Sequence, residues 1–189
     1  MTRPNLHPRL LRVPRPGEKR LAVRVTPDAL RHIRAGHPWV FEESVTSISH
    51  EAATGDLGVI FDNDRKFVAL ALYDPDSPIQ FRILHVGKPT PIDGDWWHAI
   101  IRSALDLRVS FTSDPDAAHL AYRILNGEND GVSGLVVDRY ADVLVVKLYS
   151  AVWFPHLVKV VNALLDTTGC SGVVLRLARN LQARETFGL

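Results

Sequence analysis

At 189 residues, 46% hydrophobic and 23% charged, the chain has the composition of an ordinary soluble globular protein, with length for one large domain or two small ones. A net charge of +1 excludes a global polyanion-binding field, so any nucleic-acid surface must come from local clustering. The single cysteine, Cys170, excludes an intrachain disulfide and a cysteine-rich zinc site and fits a reducing cytoplasm, while no run approaches the roughly 18 apolar residues of a membrane span.

Residues 1–20 carry Arg3, Arg9, Arg12, Arg15, Lys19 and Arg20 against one acid, Glu18, with Pro4, Pro8, Pro14 and Pro16 interleaved. This composition predicts an extended or disordered basic tail, able either to grip phosphates without sequence preference or simply to stay solvated.

From Leu21 the apolar residues alternate through Val23 and Val25, the pattern of a half-buried strand. Thr26-Pro27 then reads as the cap and first residue of a short helix running to Arg34, and Gly36 ends it. His37-Pro38-Trp39-Val40-Phe41 follows, then a polar link and further strands at 55–61, 66–73 and 79–84, divided by the turn Asp62-Asn63-Asp64 and by Pro75 and Pro78. Several short strands with one small helix predict a small β-barrel over 21–88. Arg31, His32, Arg34 and His37 flank Trp39, a mixture of cations and an aromatic suited to phosphate contact and base stacking. Trp39 and Phe41 are themselves expected in the barrel core, which leaves Arg31, Arg34 and His37 as the better candidates for contacting RNA.

The proline-rich stretch from Lys88 to Gly94 reads as a domain boundary. Beyond it, Trp96, Ile100, Ile101, Ala104 and Leu105 predict an amphipathic helix over about 96–111, ended by Ser113-Asp114-Pro115-Asp116. Tyr122 to Tyr140 then reads as strand, glycine-rich turn, strand, with Gly127, Gly131 and Gly134 suited to positive φ and Asn126, Asn129 and Asp130 able to bond their own backbone. Val143 to Tyr149 is a near-continuous β run, Pro155 opens a helix through Leu165, Gly169 closes it, and Gly172 to Leu177 form a last strand. The 95–189 segment is therefore expected to be an α+β domain.

Tyr-Arg-Ile-Leu-Asn-Gly-Glu-Asn-Asp-Gly-Val-Ser-Gly-Leu-Val-Val-Asp-Arg-Tyr (122–140) resembles the signature of the RlmI-like family, S-adenosylmethionine-dependent methyltransferases that make 5-methylcytosine in large-subunit ribosomal RNA. Ser133 departs from the proline usual there. A second match, Gly36-His37-Pro38-Trp39-Val40-Phe41, lies where that family has its PUA-type RNA-binding domain. The resemblance implies a PUA domain followed by the family's central α+β domain. It also implies ribosomal RNA as partner, S-adenosylmethionine as cofactor of the full-length enzyme, a homodimer, and RNA contact through Arg31, Arg34, His37 and Trp39. On the same grounds Arg123, Asn126, Glu128, Asp130 and Arg139 are candidates for lining a cleft between domains.

The chain stops at Leu189, so the resemblance is expected to cover only the N-terminal half of such an enzyme. No glycine-rich strand-to-helix turn of the kind that holds the cofactor is evident, and a Rossmann-like methyltransferase domain is not expected within these residues. No catalytic, cofactor-binding or metal-binding residue is therefore assigned, and the chain alone is expected to be inactive. Cys170 reads as a small buried hydrophobe rather than the cysteine nucleophile that cytosine-C5 chemistry needs. Glu128, Asp130 and Asp138 could be read as a metal or general acid/base set, but are expected to cap the hairpin or pair with Arg123 and Arg139. A stand-alone PUA-type RNA-binding module without chemistry is the alternative function.

Overall fold

The computed structural model describes residues 8–109, 121–183 and 188–189, in two compact units, one spanning Pro14–Thr90 and the other Pro91–Leu189 with the described part of Met1–Val13. Among the described residues no helix is long and apolar enough to cross a membrane.

The first unit contains β1 (Leu21–Val25), α1 (Pro27–Arg34), β2 (Trp39–Phe41), β3 (Val45–Ile48), β4 (Leu57–Phe61), β5 (Phe67–Tyr73) and β6 (Ile79–Val86). They form one six-stranded curled sheet in the order β2-β6-β5-β4-β1-β3. Neighbours are antiparallel except β1 and β4, which run parallel. The register shifts at Arg24/Val25, Val40/Phe41, Ile60/Phe61 and Leu70/Ala71, and bulges of this kind add twist that helps a sheet wrap around its own side chains. Val23, Ile60, Ala69, Ala71 and Phe81 meet Leu30 and Ile33 of α1 in that core. Gly58 makes room for it, since a Cβ there would lie 2.8 Å from the Phe81 ring.

Helix α1 forms where its local chemistry dictates. The Thr26 hydroxyl accepts the Ala29 N–H at 3.3 Å, Pro27 occupies the first turn, and Gly36 leaves at φ 92°, a left-handed conformation natural to glycine. Two expectations need correction in this unit. The link after Phe41 contains the edge strand β3, whose polar Thr46 and Ser47 hide the usual apolar signal. Trp39 and Phe41 are not core: β2 alternates so that Val40 alone points inward, 1% exposed, while Phe41 is 36% exposed.

The second unit contains α2 (Gly94–Asp106), β7 (Ala121–Asn126), β8 (Leu135–Tyr140), β9 (Val143–Leu148), α3 (Leu157–Thr168), β10 (Gly172–Leu177) and the short α4 (Arg179–Gln182). Its four-stranded sheet runs β10-β9-β8-β7, antiparallel except for β9 and β10, which α3 connects in parallel. Helices α2 and α3 pack together, and α2 also meets β7. Leu135, Val137, Leu144, Val146 and Leu148 are fully buried on one face of this sheet. Trp97 and Trp153 are likewise buried, with ring centroids 5.8 Å apart in an edge-to-face contact.

Helix α2 starts earlier than its apolar periodicity suggested, because the Asp93 carboxylate accepts the Trp96 N–H at 3.0 Å. It ends at Asp106 rather than near 111, and the terminator at Ser113 to Asp116 lies outside the described residues. Pro155 does not open α3; it sits in a 3-10 turn, Ala151–His156, that precedes it. The amino-terminal basic segment is not wholly extended either. Pro8–Arg12 forms a 3-10 turn in contact with α3, within the second unit and not the first. Leu10 is half-buried there.

Candidate nucleic-acid interface

In the first unit the end of α1 leaves Arg31, His32 and Arg34 exposed, and the start of β2 leaves His37 and Trp39 half-buried beside them. The aromatic rings follow one another edge to face, His32 to His37 at 6.0 Å, His37 to Trp39 at 5.9 Å and Trp39 to Phe41 at 6.4 Å. The His37 ring is fixed by its own turn, since Nδ1 lies 3.3 Å from the Trp39 N–H and 3.0 Å from the Trp39 carbonyl. A short edge strand of outward rings is a surface on which bases can stack.

The two arginines of α1 diverge. Arg31 pairs with Asp28 one turn earlier at 2.6 Å and lies 3.2 Å from His32 Nε2, whereas Arg34 reaches Asp62 in the β4–β5 turn at 3.0 Å. The hydrogen bond from Arg31 is the main cause that holds the Asp28 carboxyl below its usual range. Asp62 is also lowered, chiefly by the Lys66 backbone N–H, with the Asp64 N–H and the Arg34 charge adding to it. Arg24 donates to the Asp62 carbonyl and stands over the Phe61 ring, 6.0 Å from its centroid. The Arg31–Asp28 pair is exposed on both sides and contributes little to stability, while Asp62 is the less exposed partner of Arg34.

In the second unit the residues of the signature hairpin separate into three groups. Arg123 and Asn126 come together: the Arg123 guanidinium donates to both Asp138 oxygens, at 2.8 and 3.3 Å, and to the Asn126 side-chain oxygen at 3.1 Å. The hydrogen bond to Asp138 is the principal reason the Arg123 pKa rises. Beside this group lies a shallow hollow lined by Arg108, Tyr122, Arg123, Asn126, Asp138 and Tyr140. Asp130 instead anchors the turn, accepting from Arg108 at 2.7 Å and from the Asn126 N–H at 2.6 Å. Glu128 accepts the Ser133 hydroxyl at 2.8 Å, and Arg139 donates to the Ala141 carbonyl at 2.8 Å, away from the others.

Glu128, Asp130 and Asp138 thus face different partners, and among the described residues no three histidine, cysteine or acidic side chains are placed to hold a metal. Cys170 is buried. Sequence reasoning passed over Arg108 and Asp62 as parts of these sites, because each reaches its partner across at least 22 residues of chain.

Residues 23–85 match a family model described as a PUA-like domain. The chain is 47% identical over 171 residues to a ribosomal RNA large subunit methyltransferase of Deinococcus radiodurans, an alignment that covers 87% of this chain and 41% of that protein. It is 33% identical to ribosomal RNA large subunit methyltransferase I of Alteromonas mediterranea, over 73% of this chain and 34% of that one. The chain is homologous to the N-terminal region of RlmI-like proteins. It spans about two fifths or less of the length of these relatives. Among solved structures, a candidate SAM-dependent methyltransferase of Streptococcus mutans superposes with a TM-score of 0.70 at 14% identity, over 82% of this chain and 40% of its own. A second methyltransferase-like structure, solved with SAH, gives 0.67 at 14% identity. At that identity the superpositions establish the fold alone.

Proposed function

We propose that this chain is the RNA-binding and central part of a SAM-dependent ribosomal RNA methyltransferase of the 5-methylcytosine type, and that the PUA-like unit holds the RNA. The correspondence over 87% of the chain with a ribosomal RNA large subunit methyltransferase carries this reading. The surface of the PUA-like unit supports it. Arg31 and Arg34 supply phosphate contacts, and His37 and Trp39 supply a stacking edge. In the second unit, Arg123 and Asn126 at the hollow, with the turn set by Glu128 and Asp130, form a smaller polar surface that can touch the same RNA, while Arg139 lies apart. On this reading the methyl transfer and the S-adenosylmethionine site belong to other residues of the whole enzyme. The whole enzyme acts in the cytoplasm as a homodimer. The domain limits are then 21–88 for the PUA-like part and 95–189 for the central part.

Filter binding of a ribosomal RNA fragment across a salt series tests the RNA grip. Loss of one phosphate contact lowers the salt slope by roughly 0.7 to 0.9, so the double replacement Arg31→Ala/Arg34→Ala should flatten it by up to about 1.8. Unchanged affinity and slope would move the grip away from α1. Titration of S-adenosylmethionine into the 189-residue chain should give no saturable heat at micromolar cofactor.

A further inference from the structure

Strand register sorts the side chains of the second unit's sheet into two faces. On the face opposite the buried leucines and valines, one row reads Val174, Val145, Asp138, Arg123 and the next reads Arg176, Lys147, Val136, Asn126 across β10, β9, β8 and β7. Tyr140 stands in the row on one side of these, opposite Val143. Beyond the other side, Tyr149 extends the β9 ladder through its N–H to the Gly134 carbonyl at 2.9 Å. Tyr140 is 52% exposed, Tyr149 44% and Val174 49%. Between them Arg123, Tyr140, Val145, Lys147, Tyr149 and Arg176 line an open hollow of about 370 Å³.

The chemistry of this face selects its partner. Among the described residues lining this hollow, Arg123, Lys147 and Arg176 stand against one acid, Asp138, which Arg123 already pairs. Lys147 lies 4.5 Å from the Tyr149 ring centroid, a cation beside a stackable ring. The centre of a protein interface is depleted in charge, whereas here the cations sit at the centre and the aromatics at the margin. A four-stranded sheet with outward aromatics and cations is a surface that takes two or three unstacked bases and their phosphates.

We infer that this face is a second RNA-binding surface, specific for single strands, on which Tyr140 and Tyr149 stack bases and Lys147 and Arg176 neutralise phosphates. The inference rests on the reading of the chain as RNA-binding and adds a site remote in sequence from α1. Its function would be to hold an unpaired segment of the RNA that the PUA-like unit grips.

Anisotropy of a labelled decauridylate, titrated with the full chain at several salt concentrations, tests it. Tyr140→Ala/Tyr149→Ala should weaken binding by about 5- to 160-fold for each stack lost, and Tyr140→Phe/Tyr149→Phe should restore it, because the ring and not the hydroxyl stacks. Lys147→Gln/Arg176→Gln should lower the single-strand salt slope by about 1.4. Equal affinity of wild type and the tyrosine-to-alanine variant, or equal loss in the alanine and phenylalanine variants, overturns the inference. So does a variant that changes self-association in sedimentation while retaining RNA affinity, which would make the face a protein contact. Failure of the wild type to bind either RNA would instead remove the proposed function itself.

Discussion

Arg108 and Asp130, 22 residues apart, form a two-pronged ion pair at 2.7 and 3.3 Å, with side chains only 17% and 4% exposed. The arginine also donates to the Ala104 carbonyl at 2.6 Å, and the aspartate accepts the Asn126 N–H. The end of α2 is thereby tied to the glycine-rich turn after β7. Breaking a buried pair by deleting one partner typically costs about 3–5 kcal/mol, because the survivor is left as an uncompensated charge. Asp130→Ala should therefore destabilise the second unit by about 3 kcal/mol in urea unfolding, and Arg108→Met/Asp130→Leu should cost less than either single change. Additive losses in the double variant would show that the two residues act separately.

Such long-range pairs mark the limit of what the sequence discloses. Helix α1 was legible because Thr26, Pro27 and Gly36 act within one turn of themselves, and the hairpin because its glycines punctuate two apolar runs. Strand β3 was hidden since an edge strand need not be apolar. Trp39 and Phe41 were misplaced by size alone. Large rings were expected to fill a small core, yet the alternation around Val40 decides which way they point. Asp62 could not be foreseen as the partner of Arg34, because a partner 28 residues away leaves no periodic trace.

A second prediction concerns the corner where the signature hairpin meets the Trp153 turn. The Trp153 indole N–H donates to the Ser133 carbonyl at 2.9 Å, and both residues are fully buried. Trp153→Phe keeps most of the apolar volume and removes that hydrogen bond, so it should cost about 0.5–1.5 kcal/mol. Gly134 next to it has φ 79°, and a Cβ there would sit 3.3 Å from the Ser150 Cβ. Gly134→Ala should lose at least about 1–2 kcal/mol from backbone strain alone. Chemical denaturation of both variants checks these figures, and a neutral Gly134→Ala would show that the turn relaxes.

The pH response of the β4–β5 turn follows from Asp62. Its carboxylate accepts the N–H groups of Lys66 at 2.9 Å and Asp64 at 3.1 Å, and its pKa lies below the ordinary 3.8. A depressed folded pKa means that the ionised form stabilises the turn above the unfolded value, and that this contribution disappears as pH falls through the folded value. Amide protection of Asp64 and Lys66, corrected for intrinsic exchange, should hold from pH 7 down to about 5 and decline below about 3.8. Asp62→Asn should remove that acid step. A step of the same size in the variant would assign the transition to another carboxylate.

The same aspartate sets how readily Arg34 can leave for RNA. Arg34 is 54% exposed and Asp62 15% on their side chains, so the pair is held from one side by a carboxylate already engaged with two backbone N–H groups. If Arg34 contacts phosphate, it must give up this partner, and the exchange reduces its net gain by the small worth of a surface pair. Asp62→Asn removes the competing charge and keeps much of the turn's hydrogen bonding. It should therefore tighten binding of a ribosomal RNA fragment by about 1.4- to 5-fold at low salt. The gain should shrink as salt screens the exposed charges. In the Arg34→Ala background the Asp62→Asn gain should fall toward the smaller effect of removing a distant negative charge. Filter binding of the four proteins in this double-mutant cycle measures the coupling directly. A gain that is the same with and without Arg34 would mean that Asp62 repels RNA on its own and that Arg34 does not exchange partners.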